Sequence, residues 1–116
     1  MLKFSIIIPV YNRPDEVAEL LESLTHLSCP DIEILVIEDG SSVPCDEVVK
    51  RFEGKLPVRY FSKPNSGPGQ TRNYGAERAK GEYLLIWDSD ILRELLMRSL
   101  NHLRTLTGIQ LRRFLR

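Results

Sequence analysis

Cysteine is scarce in this chain: 116 residues include two, Cys29 and Cys45. They form no C-x-x-C and neighbour no histidine pair, which argues against a zinc site. Two free thiols in a reducing compartment is the simpler reading. Histidine is equally rare, and His26 and His102 read as surface or helix residues without evident partners. Net charge is absent, at a formal +0. The overall balance therefore favours no particular partner, and no nucleic acid is expected. Long apolar runs are missing too. Ser5 and Pro9 interrupt Phe4–Val10, which is too short to cross a bilayer and precedes no small-residue cleavage site. A cytoplasmic chain is the expectation. There is no internal repeat and no low-complexity segment, and the length suits one small domain.

What is present alternates. Phe4–Val10 and Ile32–Ile37 are continuous apolar runs rich in β-branched residues, and both predict buried strands. Val58–Phe61 and Tyr83–Trp87 predict two more. Between the first two, Pro14, Asp15 and Glu16 suit a helix start. Val17, Leu20, Leu21, Leu24 and Leu27 then recur at helical spacing. Further helices are predicted over Asp46–Phe52 and Gln70–Ala79. Buried strands alternating with helices imply an α/β fold, with a mostly parallel sheet covered on both faces.

Chemically capable residues fall at the same end of successive strands: Tyr11-Asn12, Glu38-Asp39 and Asp88-Ser89-Asp90. A parallel sheet gathers its carboxyl ends on one rim, where ligands bind at the reversal of strand order. Two carboxylates at i and i+2 repel unless water or a cation joins them. Oxygen donors alone favour Mg²⁺ or Mn²⁺, and such an ion completes its shell with substrate phosphates. The plainer reading of D-x-D is a solvated turn. Gly67-Pro68-Gly69-Gln70-Thr71-Arg72 starts like G-x-G-x-x-G but ends in Arg, so it completes neither a dinucleotide fingerprint nor a Walker A loop. It is either a flexible loop before a helix or a cover for a diphosphate, with Arg72 as its cation. Tyr11 could stack on a base or simply pack at its strand end. Asp39 could accept from a base N–H or cap the turn it begins.

Taken in order, F-S-I-I-I-P-V-Y-N-R-P-D-E-V, I-L-V-I-E-D-G-S-S, N-S-G-P-G-Q-T-R-N-Y-G and G-E-Y-L-L-I-W-D-S-D resemble the N-terminal half of the family 2 glycosyltransferases, from about Lys3 to Asp90. The resemblance implies a Rossmann-like GT-A fold whose first half binds a nucleotide-diphosphate sugar. It also implies inverting transfer of the sugar, commonly UDP-linked, to an acceptor hydroxyl on a saccharide or lipid-linked acceptor, with Mn²⁺ or Mg²⁺. Carried across, Pro9 and Tyr11 line the base pocket and Asp39 recognises the base. Arg72 lies near the base or diphosphate, Asp88 near the ribose and metal, and Asp90 ligates the metal. Glu38 stands where the family usually has the first Asp of Asp-Asp-Gly-Ser. The family's general base belongs to its second half, so the catalytic base is not assigned here.

The resemblance divides the chain into a nucleotide-sugar-binding domain, residues 1–92, and a tail, residues 93–116. The tail carries six Arg and one Glu, against ten basic and fifteen acidic residues before it. Leu92, Leu95, Leu96, Ser99, Leu100, Leu103 and Leu106 have helical spacing, so a basic amphipathic helix is expected. Three readings of it stand: a cover for the sheet edge, a peripheral contact at the inner face of a membrane, or aberrant sequence from a frameshift or premature stop. A half-fold with an open edge and a Leu-striped tail should also self-associate. Beside the transferase stands a different class, a truncated non-catalytic nucleotide-binding or assembly module. An unrelated nucleotide-binding α/β protein is a third option.

Overall fold

A computed structural model describes residues 4–26, 31–86 and the backbone of 110–113. Five strands and three helices follow in the order β1 (Phe4–Val10), α1 (Pro14–Leu24), β2 (Ile32–Asp39), α2 (Asp46–Phe52), β3 (Val58–Lys63), α3 (Pro68–Arg78), β4 (Tyr83–Ile86) and β5 (Gln110–Arg113). They build one sheet of order β3-β2-β1-β4-β5. β1, β2, β3 and β4 are mutually parallel, and β5 runs antiparallel to β4. The expected α/β architecture is present, and strand order reverses between β1 and β4.

Alternation along the strands decides which helix each side chain meets. Phe4, Ile6, Ile8 and Val10 of β1, with Ile32, Ile34 and Val36 of β2, pack against Val17, Leu20, Leu21 and Leu24 of α1 and Val48, Val49 and Phe52 of α2. Ile7, Leu35, Ile37 and Leu84 point the other way and form the second core layer, beneath α3. There the helix comes close because Gly75 has no side chain: a Cβ at that position would lie 2.6 Å from Ile7 Cγ2. Helices α1 and α2 start as the sequence predicts, whereas α3 spans Pro68–Arg78 instead of the expected Gln70–Ala79, because Pro68 suits a first helical turn. Pro14 and Pro68 occupy first-turn positions, and α2 places Asp46 and Glu47 in its first turn and Lys50 and Arg51 in its last.

Strand ends and the tail differ from expectation too. β2 and β3 extend through Asp39 and Lys63, beyond the expected Ile37 and Phe61. In the tail, the backbone of Gln110–Arg113 is a strand and not part of the expected amphipathic helix. The physical reason is the open side of β4: its unpaired N–H and C=O groups accept a further strand. The other tail positions that carried the helical pattern, from Leu92 to Leu106, lie outside the described residues. Leu27, Cys29 and Trp87 lie outside them too.

Candidate functional site

The site begins where β1 and β2 end side by side. Val10 is in register with Glu38, and Asp39 with Lys63. Tyr11 and Asp39 therefore leave adjacent strands on the same rim. Pro9 shapes this rim through the donor it lacks. Phe4 N–H donates to Asp31 O on the β2 side, so by alternation the nitrogens of Ser5, Ile7 and Pro9 face β4. The described register with β4 ends at Ile7↔Ile86, and Pro9 offers no N–H to extend it. Pro9 stands at the reversal of strand order, where an α/β sheet receives its ligands.

Asp39 lies on the α3 side and is 6% exposed. Lys63 Nζ donates to its Oδ1 at 2.8 Å and the Ser66 N–H at 2.9 Å. Its Oδ2 accepts from the Gly67 N–H at 3.1 Å and from Asn65 Nδ2 at 3.4 Å. Asn65 Nδ2 also donates to Asp39 main-chain O at 2.9 Å. Burial pushes this carboxyl up, but bonds from Lys63, the Ser66 N–H and Thr71, with the charge on Lys63, outweigh it and hold the pKa below the ordinary value. Lys63 is itself saturated, reaching Pro64 O, Ser66 Oγ and Thr71 Oγ1. One ion pair thus gathers the glycine-rich loop onto the end of β2. Gly40 permits this: its φ is +68° and a Cβ would lie 2.5 Å from Asn65 N.

Gly67, at φ +96°, opens α3. Thr71 bonds back to Gly67 O at 2.8 Å. Arg72 follows it, half-buried, with no hydrogen bond or ion pair among the described residues. A cation left free beside an ordered loop and a helix N-terminus is available to an anion. Tyr11 is 52% exposed and Val43 55%; these are the exposed large apolar side chains among the described residues.

Glu38 points to the opposite face. It is 1% exposed. Its Oε1 accepts from the Cys45 N–H at 2.7 Å and from Tyr60 Oη at 2.9 Å, and its Oε2 accepts from Ser41 Oγ. Burial first, and then the carboxylate charge, push the Cys45 thiol and the Tyr60 phenol far up, so neither ionises near neutrality. Cys45 is an inert core thiol.

The predicted site residues divide into two groups. Pro9, Tyr11, Asp39 and Arg72 belong to the rim and the helix that follows its loop. Asp88 and Asp90, the predicted metal ligands, lie outside the described residues. Among those described, no three His, Cys, Asp or Glu side chains come together. Sequence reasoning missed Lys63, Asn65, Ser41 and the structural part played by Asn12. Their partners are 24 to 31 residues away, and the only local cues were the D-G-S-S and P-N-S-G turn signals.

Residues 5–92 match the glycosyl transferase family 2 profile. An uncharacterised glycosyltransferase of Rickettsia bellii is 38% identical over 90 residues, covering 78% of this chain and 13% of that protein. The poly(ribitol-phosphate) β-N-acetylglucosaminyltransferase TarS of Staphylococcus aureus is 36% identical over 94 residues, 78% of this chain and 16% of TarS. The structure of TarS 1–349 with UDP-GlcNAc superposes with a TM-score of 0.75 at 34% identity, over 89% of this chain and 31% of that one. A Pyrobaculum calidifontis mannosyltransferase, solved with GDP-Man and Mn²⁺, has a TM-score of 0.73 at 21% identity, covering 89% of this chain and 32% of its own; that likeness speaks to the fold alone. The chain thus spans less than a third of each of these proteins. On the profile, the identities and the shared GT-A sheet, this chain belongs to glycosyl transferase family 2.

Proposed function

We propose that this chain binds the donor of an inverting glycosyl transfer, a UDP-linked sugar, at the rim formed by β1, β2 and the loop before α3. The observation that carries the proposal is the Asp39–Lys63 ion pair. It orders residues 65–67 on the rim that carries an exposed Tyr11, and Arg72 has no hydrogen-bond or ion-pair partner among the described residues. In this reading Tyr11 stacks on the base and Pro9 lines the pocket wall. Asp39 meets a base N–H by giving up its longest contact, the 3.4 Å bond from Asn65. Arg72 faces the diphosphate. The likeness to TarS bound to UDP-GlcNAc supports a UDP donor over other nucleotides.

Asp90 and Asp88 would hold Mn²⁺ or Mg²⁺. When bound, such an ion neutralises charge on the departing diphosphate. The chain's own residues do the rest of the binding: the ordered loop limits access of water, and Arg72 offsets phosphate charge. The sugar passes to an acceptor hydroxyl on a saccharide or lipid-linked acceptor, with the proton taken by a base outside the residues assigned here.

Calorimetric titration of UDP, with and without Mn²⁺, tests this reading. Metal-dependent affinity that Asp90→Ala abolishes is expected. Binding that ignores both metal and substitution would overturn it. A turnover assay with a donor sugar then separates a transferase from a module that binds donor without transferring it, the alternative that the short span relative to its relatives keeps in view.

A further inference from the structure

We propose that Asn12 is a positioning residue for Tyr11, braced by Ser41 and, through Ser41, by the buried Glu38. The inference deepens the donor-binding reading above and rests on it. Asn12 is the described non-glycine residue with positive φ, at +54°. The left-handed region disfavours most side chains and tolerates Asn. What holds it there is a two-way clamp. Asn12 Oδ1 accepts from the Ser42 N–H at 2.8 Å and the Val43 N–H at 2.9 Å, with Ser42 Oγ at 3.3 Å. In return the Asn12 N–H donates to Ser41 Oγ at 2.8 Å.

The direction of each bond is fixed. The Asn12 N–H can only donate, so Ser41 Oγ accepts from it and directs its own single proton to Glu38 Oε2. Glu38 is anchored in turn by the Cys45 N–H and the Tyr60 hydroxyl. A line of hydrogen bonds therefore runs from the α2 side of the core to the peptide that follows Tyr11.

Tyr11 needs such a support. It is 52% exposed and has no hydrogen-bond partner among the described residues, so packing holds it only in part and no hydrogen bond fixes its hydroxyl. Its backbone does: Val10 is paired in the sheet, and Asn12 is clamped. Val43, the other exposed large apolar residue among those described, donates its N–H to the same Asn12 oxygen. The clamp presents two apolar surfaces on one rim, at a fixed separation, to a flat ligand. Fixing that geometry before binding spares the complex the cost of ordering it.

The test is calorimetric titration of UDP with Mn²⁺ into the full chain. Asn12→Gly keeps the backbone conformation and removes the acceptor; Asn12→Asp keeps the acceptor. Asn12→Gly is expected to weaken UDP about tenfold through lost pre-ordering, within the ceiling set by the two lost backbone bonds. Asn12→Asp should restore affinity to within about threefold of wild type, and Asn12→Gly should add less than about twofold in a Tyr11→Ala background. Inorganic pyrophosphate with Mn²⁺ should bind Asn12→Gly as it binds wild type. Unchanged UDP affinity, an equal loss for pyrophosphate, or a full loss in the Tyr11→Ala background each overturns the proposal. If Asn12→Gly does not fold, Ser41→Ala cuts the brace from the other side and is read by the same criteria. Wild-type chain that binds no UDP sinks the donor-binding reading first, and the clamp with it; wild type that binds while the variants match it sinks the clamp alone.

Discussion

Glu33 shows how a single residue can be structural while looking functional. It is 4% exposed near the start of an apolar strand, β2. Ser5 Oγ donates to it at 2.6 Å, the Lys80 N–H at 2.5 Å and Arg59 Nη2 at 2.8 Å. Gly81 N–H bonds Ser5 Oγ at 2.8 Å, completing a knot that ties β1, β2, β3 and the entry to β4. The knot lies at the opposite end of the strands from the rim. Burial pushes the Glu33 carboxyl up, but Ser5, the Lys80 N–H and Arg59 outweigh it, so its pKa falls below the ordinary 4.5. Asp39 is depressed below 3.8 for the parallel reasons given above. Depressed carboxylates stabilise the fold fully above their unfolded values and lose that contribution as pH falls toward the folded ones. Urea midpoints should therefore be flat from pH 7 to about pH 5 and drop steeply below it. Glu33→Gln should cost about 1–3 kcal/mol at pH 7 and flatten the acid limb. An acid limb unchanged in that variant would count against the assignment.

At the scale of the element, α3 is the unusual one. Its sequence, P-G-Q-T-R-N-Y-G-A-E-R, has a weak apolar stripe, and within the helix only Thr71 and Gly75 are buried. It is held by close approach and by the loop at its start more than by a broad greasy face. Gly75→Ala therefore has two opposing effects. Alanine favours the helix by up to about 1 kcal/mol. The new Cβ would meet Ile7 Cγ2 at 2.6 Å and Ile37 Cγ1 at 3.3 Å, and overpacking of this kind costs about 1–3 kcal/mol. A lower melting temperature is expected. Gly69→Ala is the control: nothing lies within 4 Å of its Cβ, so its melting temperature should hold or rise. Equal melting behaviour in the two variants would contradict this packing.

At the scale of the whole molecule, the sheet order matters most. β1 and β2 each have neighbours on both sides, whereas β3 and β5 each have one among the described strands. Edge strands present unpaired N–H and C=O groups to other chains. Pro57 and Pro64 flank β3 and limit pairing there. β5 covers β4 with only four residues. We expect the chain to self-associate through such an edge, measured as a concentration-dependent rise in mass by light scattering. A clean monomer at high concentration would refute it. No described helix is long and apolar enough to cross a membrane.

Periodicity in the sequence determined the elements. Short continuous runs rich in β-branched residues favour buried strands, and Val17, Leu20, Leu21 and Leu24 share a face on a helix. Alternation of buried strands and helices then leaves little choice but a parallel sheet with a ligand rim at its carboxyl ends. That Tyr11, Asp39 and the loop before Arg72 follow strand ends on one side of the sheet was legible for that reason. Which neighbours each side chain would meet was not legible, because those contacts depend on strand order and register. Glu38 and Asp39 are adjacent and chemically alike, yet one braces the α2 side of the core and the other grips the loop before α3. Asn12 reads as a turn residue until register brings Ser41, Ser42 and Val43 to it from about thirty positions away. Hydrogen bonds act over about 3 Å, and only the folded chain decides which distant groups come within that reach.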